Sequence, residues 1–277
     1  LLPVGGGGGK NLDHPVFGHA LPHLGAIFDL SAMGQGQPVQ TQFPPHTADG
    51  TGGGGLLPAR IGAARNRPKP RRVTVAQGRS MGGAIVRDYR RLDVVVDSAG
   101  VGSAPDERLL SEDGHEFRCQ GNYLSTFLLT NMLLPRLRES TPSRSVNVSS
   151  LAQSPIDFDD VMIENDFSGG RAYAQSKLAQ IMFTIDLAEE LEGTDVIVNS
   201  LHPATYMDTG MVRRAGLTPR ATVGEGADAV MQLITSSDIG SGGYFNRLRP
   251  ARANAQAYDE EARNKLRELS EELTRGR

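Results

Sequence analysis

The sequence predicts an α/β protein: a doubly wound parallel sheet carried by residues 72–277 of a 277-residue chain. Three observations predict it. Short apolar runs rich in valine alternate with longer segments of helical period. The runs are continuous rather than alternating, as in strands buried on both faces. Upstream of Arg72 no sustained period of either kind is found.

The elements follow in order. Arg72–Ala76 (RVTVA) is short and β-branched and predicts a strand. Met81–Arg91 predicts a helix, and Leu92–Asp97 (LDVVVD) a buried strand. His115–Arg138 is a long helical pattern with Phe117, Leu124, Phe127 and Leu128 available to one face. Ser145–Val148 is another short strand. Ala172–Leu191 sets Ala174, Leu178, Ile181, Ile185 and Ala188 at helix spacing, with Gln175, Asp186 and Glu189 outside. Val196–Leu201 (VIVNSL) is a third apolar strand. Thr222-Val-Gly-Glu225 has capping-box form and opens a helix through Ile234. Tyr258, Ala262, Leu266, Leu269 and Leu273 trace a last amphipathic helix. Strands alternating with helices imply βαβ units and a sheet covered on both faces.

Residues 1–71 read as a Gly/Pro-rich irregular segment, separate from the domain at 72–277. Glycine runs at Gly5–Gly9 and Gly52–Gly55 alternate with Pro44, Pro45, Pro58, Pro68 and Pro70. Loop or disorder is expected through most of it, with room for one short helix. His14, His19 and His23 lie close together, but Pro15 and Pro22 break their spacing and no ligand set is completed. The basic run from Arg60 to Arg72 reads as a charged linker, since it lacks the aromatics that stack on bases.

Composition narrows the function classes. A net charge of -3 gives no reason to expect nucleic-acid or anionic-membrane binding. The single cysteine, Cys119, excludes an internal disulfide framework and reads as a small apolar helix residue. The longest greasy stretch, Leu124–Leu134, is interrupted by Ser125, Thr126, Thr130 and Asn131. It falls short of the ~20 apolar residues that span a bilayer. No membrane span, no metal site and a cytoplasmic location are expected.

Ligands of parallel α/β sheets bind outside the carboxyl ends of the strands. Three such ends converge here: Ser98-Ala99-Gly100, Ser149-Ser150, and His202-Pro203-Ala204. Tyr173 and Lys177 stand four residues apart on one helix face. A free phenol titrates near ~10, and a neighbouring ammonium lowers that value and makes the phenol a usable acid and base. Ser150 can hydrogen-bond the same substrate oxygen. Taken alone the Tyr–Lys pair is weak, because that spacing is common on solvated helix faces. His202, at a strand end, reads as structural.

The pair does not stand alone. Ser98-Ala99-Gly100, Asn122, Val148-Ser149-Ser150, Tyr173-Ala-Gln-Ser-Lys177 and His202-Pro203 come in the order found in the short-chain dehydrogenase/reductase family. The flanking text LDVVVDSAGV, SRSVNVSSLAQ and AYAQSKLAQIMFTIDLAEEL is also similar, most of all to the retinol-dehydrogenase-like branch. The resemblance covers residues 72–277. It implies a Rossmann-type sheet and hydride transfer between NAD or NADP and an alcohol or carbonyl substrate. It makes Tyr173 the acid/base, with Lys177 as its pKa-lowering neighbour and a holder of the nicotinamide ribose. Ser150 orients the substrate oxygen, and Asn122 positions a water in the proton relay. Ser98, Ala99, Gly100, Tyr173, Lys177, Pro203 and Ala204 border the cofactor. Ser98 replaces the family's Asn, and Ala204 its Gly. A small-molecule alcohol or carbonyl is the expected partner, with no nucleic acid, and a homo-oligomer is compatible with the family.

The front of the chain departs further. The family opens on a strand, a Thr-Gly-x-x-x-Gly-x-Gly turn and a helix that cradle the cofactor phosphates. Thr51-Gly-Gly-Gly-Gly-Leu-Leu-Pro58 starts that way but has Leu56 and Pro58 where glycines belong. A second partial match, Gly78–Ala84, follows Arg72–Ala76. The preferred alignment places Arg72–Ala76 at the family's third strand and leaves the N-terminal βαβ unit missing or degenerate. Weak cofactor binding is the expected consequence. The rival reading is a scaffold of the same fold without a working cofactor cradle, acting as a non-catalytic binding protein.

Overall fold

The computed structural model describes residues 27–29 and 74–275. Among them six strands lie side by side in chain order: β1 (Ile27–Asp29), β2 (Val94–Asp97), β3 (Ser143–Val148), β4 (Val196–His202), β5 (Tyr244–Asn246) and β6 (Arg249–Ala251). β1 through β5 are parallel, and β6 returns antiparallel to β5. Helices α1 (Val75–Asp88), α2 (Ser125–Glu139), α3 (Gly169–Glu190), α4 (Gly210–Arg214), α5 (Val223–Thr235) and α6 (Glu260–Thr274) complete the Rossmann-type α/β architecture.

The valine run of β2 explains why the sheet is covered twice. Successive side chains of a strand point to opposite faces. Val95 joins a cluster with Leu129 and Leu133 of α2, Leu178 and Met182 of α3, and Leu266 of α6. Val94 and Val96 join the opposite cluster, with Val146 and Leu201 of the sheet and Leu233 and Ile234 of α5. An alternating polar residue in this strand would lie in one core or the other.

Three expectations are corrected. Residues 74–76 are not a strand: Thr74 is the N-cap of α1. Its side chain accepts from the Gln77 N–H at 3.1 Å, and the Gln77 side chain accepts from the Thr74 N–H at 3.3 Å. That capping box, plus Asp113 accepting from the Val75 N–H at 2.9 Å, outweighs the β-propensity of two valines. Residues 27–29 are neither loop nor helix; they pair in register with Val94–Val96 and satisfy backbone groups of β2. Of the three positions expected outside, Glu189 is exposed, but Gln175 is buried and Asp186 is partly covered by α6, with Arg267 at 2.7 Å; Arg263 reaches Glu189 at the same distance.

Gly78 and Gly82 have a packing role. A Cβ at Gly78 would stand 3.0 Å from Leu128, and one at Gly82 would stand 2.9 Å from the Met132 sulfur. These glycines let α1 approach α2 and lie inside a helix, so Gly78–Ala84 is not a phosphate turn. Among the described residues, no helix is long and apolar enough to cross a membrane, and no three His, Cys, Asp or Glu side chains group as a metal site.

Candidate active site

The carboxyl ends of β2, β3 and β4 open toward one region, and the N-terminal half of α3 runs past it. Ser98, Ala99 and Gly100 leave β2, Ser149 and Ser150 leave β3, and Pro203 and Ala204 leave β4. The Ser168 side chain caps α3 by accepting from the Arg171 N–H, which sets the phase that carries Tyr173 and Lys177. Gly169 permits the close start: a Cβ there would collide with the Ser103 carbonyl.

Asn122 sits in a wide helical turn, Cys119–Leu124, that leads into α2. Its side-chain oxygen accepts from the Val101 N–H at 2.6 Å, and its amide donates to the Val101 carbonyl at 3.1 Å and to Ser176 Oγ at 2.9 Å. One fully buried side chain thereby ties the β2 exit to α3. Ser176 in turn donates to the Tyr173 carbonyl at 2.7 Å.

Lys177 is buried, and its ammonium donates to the Val148 carbonyl at 2.9 Å and to Gln180 Oε1 at 2.8 Å. Its Nζ lies 5.9 Å from the centre of the Tyr173 ring. Burial draws the Lys177 pKa down to about 8, with the Asp97 carboxylate pulling the other way. A Cβ on Gly100 would lie 3.6 Å from both Lys177 Nζ and Asn122 Oδ1 and 3.9 Å from the Met211 methyl of α4. Gly100 is therefore bordered by an ammonium, a carboxamide and a thioether.

Tyr173 is half-buried. Burial raises the phenol above its ordinary pKa, and a hydrogen bond with the Ser150 side chain partly opposes that rise. This reverses the expected direction. The rise comes from burial of the phenol, and the Lys177 ammonium, held by Val148 and Gln180, is not among its causes. Ser150 also accepts from the Ala152 N–H at 3.1 Å, and its carbonyl accepts from the Tyr244 hydroxyl at 2.9 Å.

The structure brings Tyr173, Ser150, Lys177, Asn122 and Gly100 into one neighbourhood. Ala204 is buried at the β4 exit, and Pro203 packs toward Gly226 of α5. His202 is buried with Nε2 3.1 Å from Thr205 Oγ1, and burial lowers its pKa to about 4, so the ring is neutral. The Cys119 thiol is pushed up to about 12 by burial, which removes it as a nucleophile at neutral pH. Thr51–Pro58, the three N-terminal histidines and the basic run from Arg60 to Arg72 lie outside the described residues.

Sequence reasoning missed Gln180 and Met211. Gln180 stands three residues beyond Lys177, a spacing that shares a helix face and could have flagged it. Nothing in the sequence marks Met211, because its approach to Gly100 and Gly102 depends on how the segment after β4 folds back.

The family model for short chain dehydrogenases matches residues 74–219, just over half of the chain. The chain is 37% identical over 204 residues to retinol dehydrogenase 14 of Mus musculus, an alignment covering 68% of this chain and 60% of that protein. It is 34% identical over 209 residues to retinol dehydrogenase 13 of Homo sapiens, covering 68% and 62%. The chain thus spans about 60% of the length of these curated relatives. Among solved structures, an uncharacterised protein of Mycobacterium paratuberculosis is 28% identical, with a TM-score of 0.57, covering 73% of this chain and 72% of that one. The carbonyl reductase Sniffer of D. melanogaster shares the fold at 20% identity and a TM-score of 0.50, over 65% of this chain and 76% of its own.

Proposed function

Because the chain belongs to the short-chain dehydrogenase family, in its retinol-dehydrogenase-like branch, we propose that it is a nicotinamide-dependent oxidoreductase of alcohols and carbonyl compounds. One observation carries the reading. Tyr173, Ser150 and Lys177 share the region where β2 and β3 end, beside Gly100.

Gly100, bare between Lys177 and Asn122, would let the nicotinamide–ribose half of NAD or NADP approach the backbone. Ser98, Ala99, Gly100, Pro203 and Ala204 would border it, and Lys177 would donate to the ribose. When bound, the cofactor supplies or accepts hydride. The proton falls to this chain's own residues. Tyr173 is kept protonated by its raised pKa, which is the form that donates to a carbonyl oxygen during reduction; oxidation of an alcohol returns the proton to it. Ser150 offers a hydroxyl to the same oxygen and holds it beside the phenol. Asn122 fixes the β2 exit against α3 so that these groups keep their spacing.

The substrate class is a small-molecule alcohol or aldehyde, with retinol-like apolar alcohols first to be tried because the relatives bear that name. The division at residue 71 and a cytoplasmic location belong to the same proposal, and limited proteolysis and cell fractionation test them. Cofactor affinity is proposed to be weaker than low micromolar, since Gly78–Ala84 is committed to helix packing. Titration with NADH and NADPH, followed by assay of retinaldehyde and shorter aldehydes at saturating cofactor, tests the reading. Turnover with either cofactor supports it. Absence of binding at millimolar concentrations overturns it and favours the non-catalytic scaffold.

A further inference from the structure

We propose that Gln180 is a positioning residue for Lys177, and that with Thr126 it fastens the lysine to the wide turn that carries Asn122. The proposal rests on the reading of Tyr173 and Lys177 as parts of the proton-transfer site.

The contacts form a continuous buried chain. The Lys177 ammonium donates to Gln180 Oε1 at 2.8 Å. Gln180 Nε2 donates to Thr126 Oγ1 at 3.1 Å, and that hydroxyl donates to the Asn122 carbonyl at 2.9 Å. Lys177 is 4% exposed, Thr126 1% and Gln180 not at all, so water does not substitute for any member. Asn122 then returns to α3 through Ser176.

The direction of donation is forced. The Thr126 proton is committed to a backbone carbonyl, which has no proton to give. The Thr126 oxygen can then only accept from Gln180. Gln180 must turn its NH2 toward Thr126 and its carbonyl oxygen toward Lys177. A flipped amide would set N–H against ammonium and leave Thr126 without its donor. Thr126 thereby determines which end of Gln180 meets the lysine, although it never touches it.

The choice of a neutral amide matters. The charged and titratable groups facing Lys177 are Asp97 from β2 and Tyr173 from its own helix. Asp97 favours the ammonium and burial disfavours it. Two neutral acceptors, the Val148 carbonyl and Gln180, hold the group in place without adding a second negative charge. A carboxylate at position 180 would trap the ammonium against α3. An apolar residue would leave it with one acceptor and a stronger drive to shed its proton.

The chain has four lysines, so NMR titration of lysine labelled at Cε resolves them, with Lys177→Met assigning the signal. The 277-residue wild type is compared with Gln180→Leu, Gln180→Glu and Thr126→Val. A hydrogen bond to a charged group corresponds to roughly one to two pKa units, which sets the size of the expected changes. Gln180→Leu lowers the Lys177 titration by about one unit or more, and Gln180→Glu raises it by a similar amount. Thr126→Val moves it in the direction of Gln180→Leu by less, because the amide is released to flip. The last two substitutions are close in shape and keep the test available if Gln180→Leu does not fold. A Lys177 titration in Gln180→Glu and Thr126→Val that stays within about 0.3 units of wild type overturns the proposal. The titration needs no cofactor and no turnover. If the shifts are found while wild type reduces no aldehyde, the positioning role stands and the catalytic reading of the pair falls.

Discussion

Glu116 and Arg118 form an ion pair at 3.2 Å in which both side chains are about 1% exposed. The guanidinium also donates to the carbonyls of Gly102, Ser103 and Pro105, while the carboxylate accepts from the backbone N–H of Arg118 and of Cys119. The pair therefore pins the segment after Gly100 to the start of the helix bearing Asn122. Arg118→Leu leaves a buried carboxylate unpaired and four carbonyls, that of Glu107 included, without their donor. The expected loss is about 3–5 kcal/mol in urea unfolding, the range for breaking a buried pair from one side. A loss under about 1 kcal/mol contradicts the arrangement.

Tyr173→Phe removes the phenolic oxygen and leaves the ring that Lys177 faces. Turnover is expected to fall by about 10²–10⁴-fold, the usual contribution of a positioned acid or base, with far-UV circular dichroism unchanged. Retention of more than a tenth of the wild-type rate removes Tyr173 from the chemistry.

Lys177 titrates near 8 in the folded chain against 10.5 for a free lysine. Between those values the unfolded chain binds more protons, so stability rises with pH across the window. The gain expected over Lys177→Met is about 3 kcal/mol from pH 8 to pH 10.5. Denaturation curves taken at several pH values check it. Parallel stability profiles for the two proteins would refute it.

His202 follows the same rule with the same sign, in an acid window. Its folded pKa of about 4 lies below the ordinary 6.5, so the unfolded state takes up a proton first as acid is added. Stability contributed by the neutral ring is lost as pH falls from 6.5 toward 4. His202→Gln is expected to flatten that limb of the profile. An unchanged acid limb counts against a buried neutral imidazole.

Gly82→Leu probes the contact of α1 with α2. The new side chain enters the space held by Met132, and overpacking of this kind costs about 1–3 kcal/mol. The affinity for NADPH is expected to stay the same at temperatures where the variant is folded. Selective loss of cofactor binding, with stability intact, would restore Gly78–Ala84 as a phosphate loop.

The legible parts of this fold are those in which local pattern and burial agree. Val94–Val96 reads as a doubly buried strand because each valine meets a core. Thr222 and Glu225 read as a capping box and form one, with Thr222 accepting from the Glu225 N–H at 3.1 Å. The same signature at Thr74 and Gln77 was masked by two valines whose propensity favours a strand. β5 and β6 were not foreseen, because three residues carry no period; their hairpin exists through pairing of Tyr244–Asn246 with Arg249–Ala251. At the candidate site, residue types and order were readable from the sequence. The charge balance was not, since it depends on which acceptors reach Lys177 and how far Tyr173 is covered.

The wide turn at Cys119–Leu124 has a consequence for chain length. The Ser125 N–H donates to the Gln120 carbonyl, five residues back, so this turn holds one residue more than an α-helical turn. One residue of an α-helix corresponds to about 100° of rotation. Side chains before the turn are therefore out of phase with the stripe of Leu129, Leu133 and Leu137 that follows. Glu116 and Arg118 can look toward Gly102–Pro105 and Asn122 toward Val101, while the later residues serve the core. Here the number of residues is as informative as their identity. Deleting Gly121 changes no apolar residue of α2, yet it would swing Asn122 away from Val101 and turn the helix entry through roughly a quarter of a revolution.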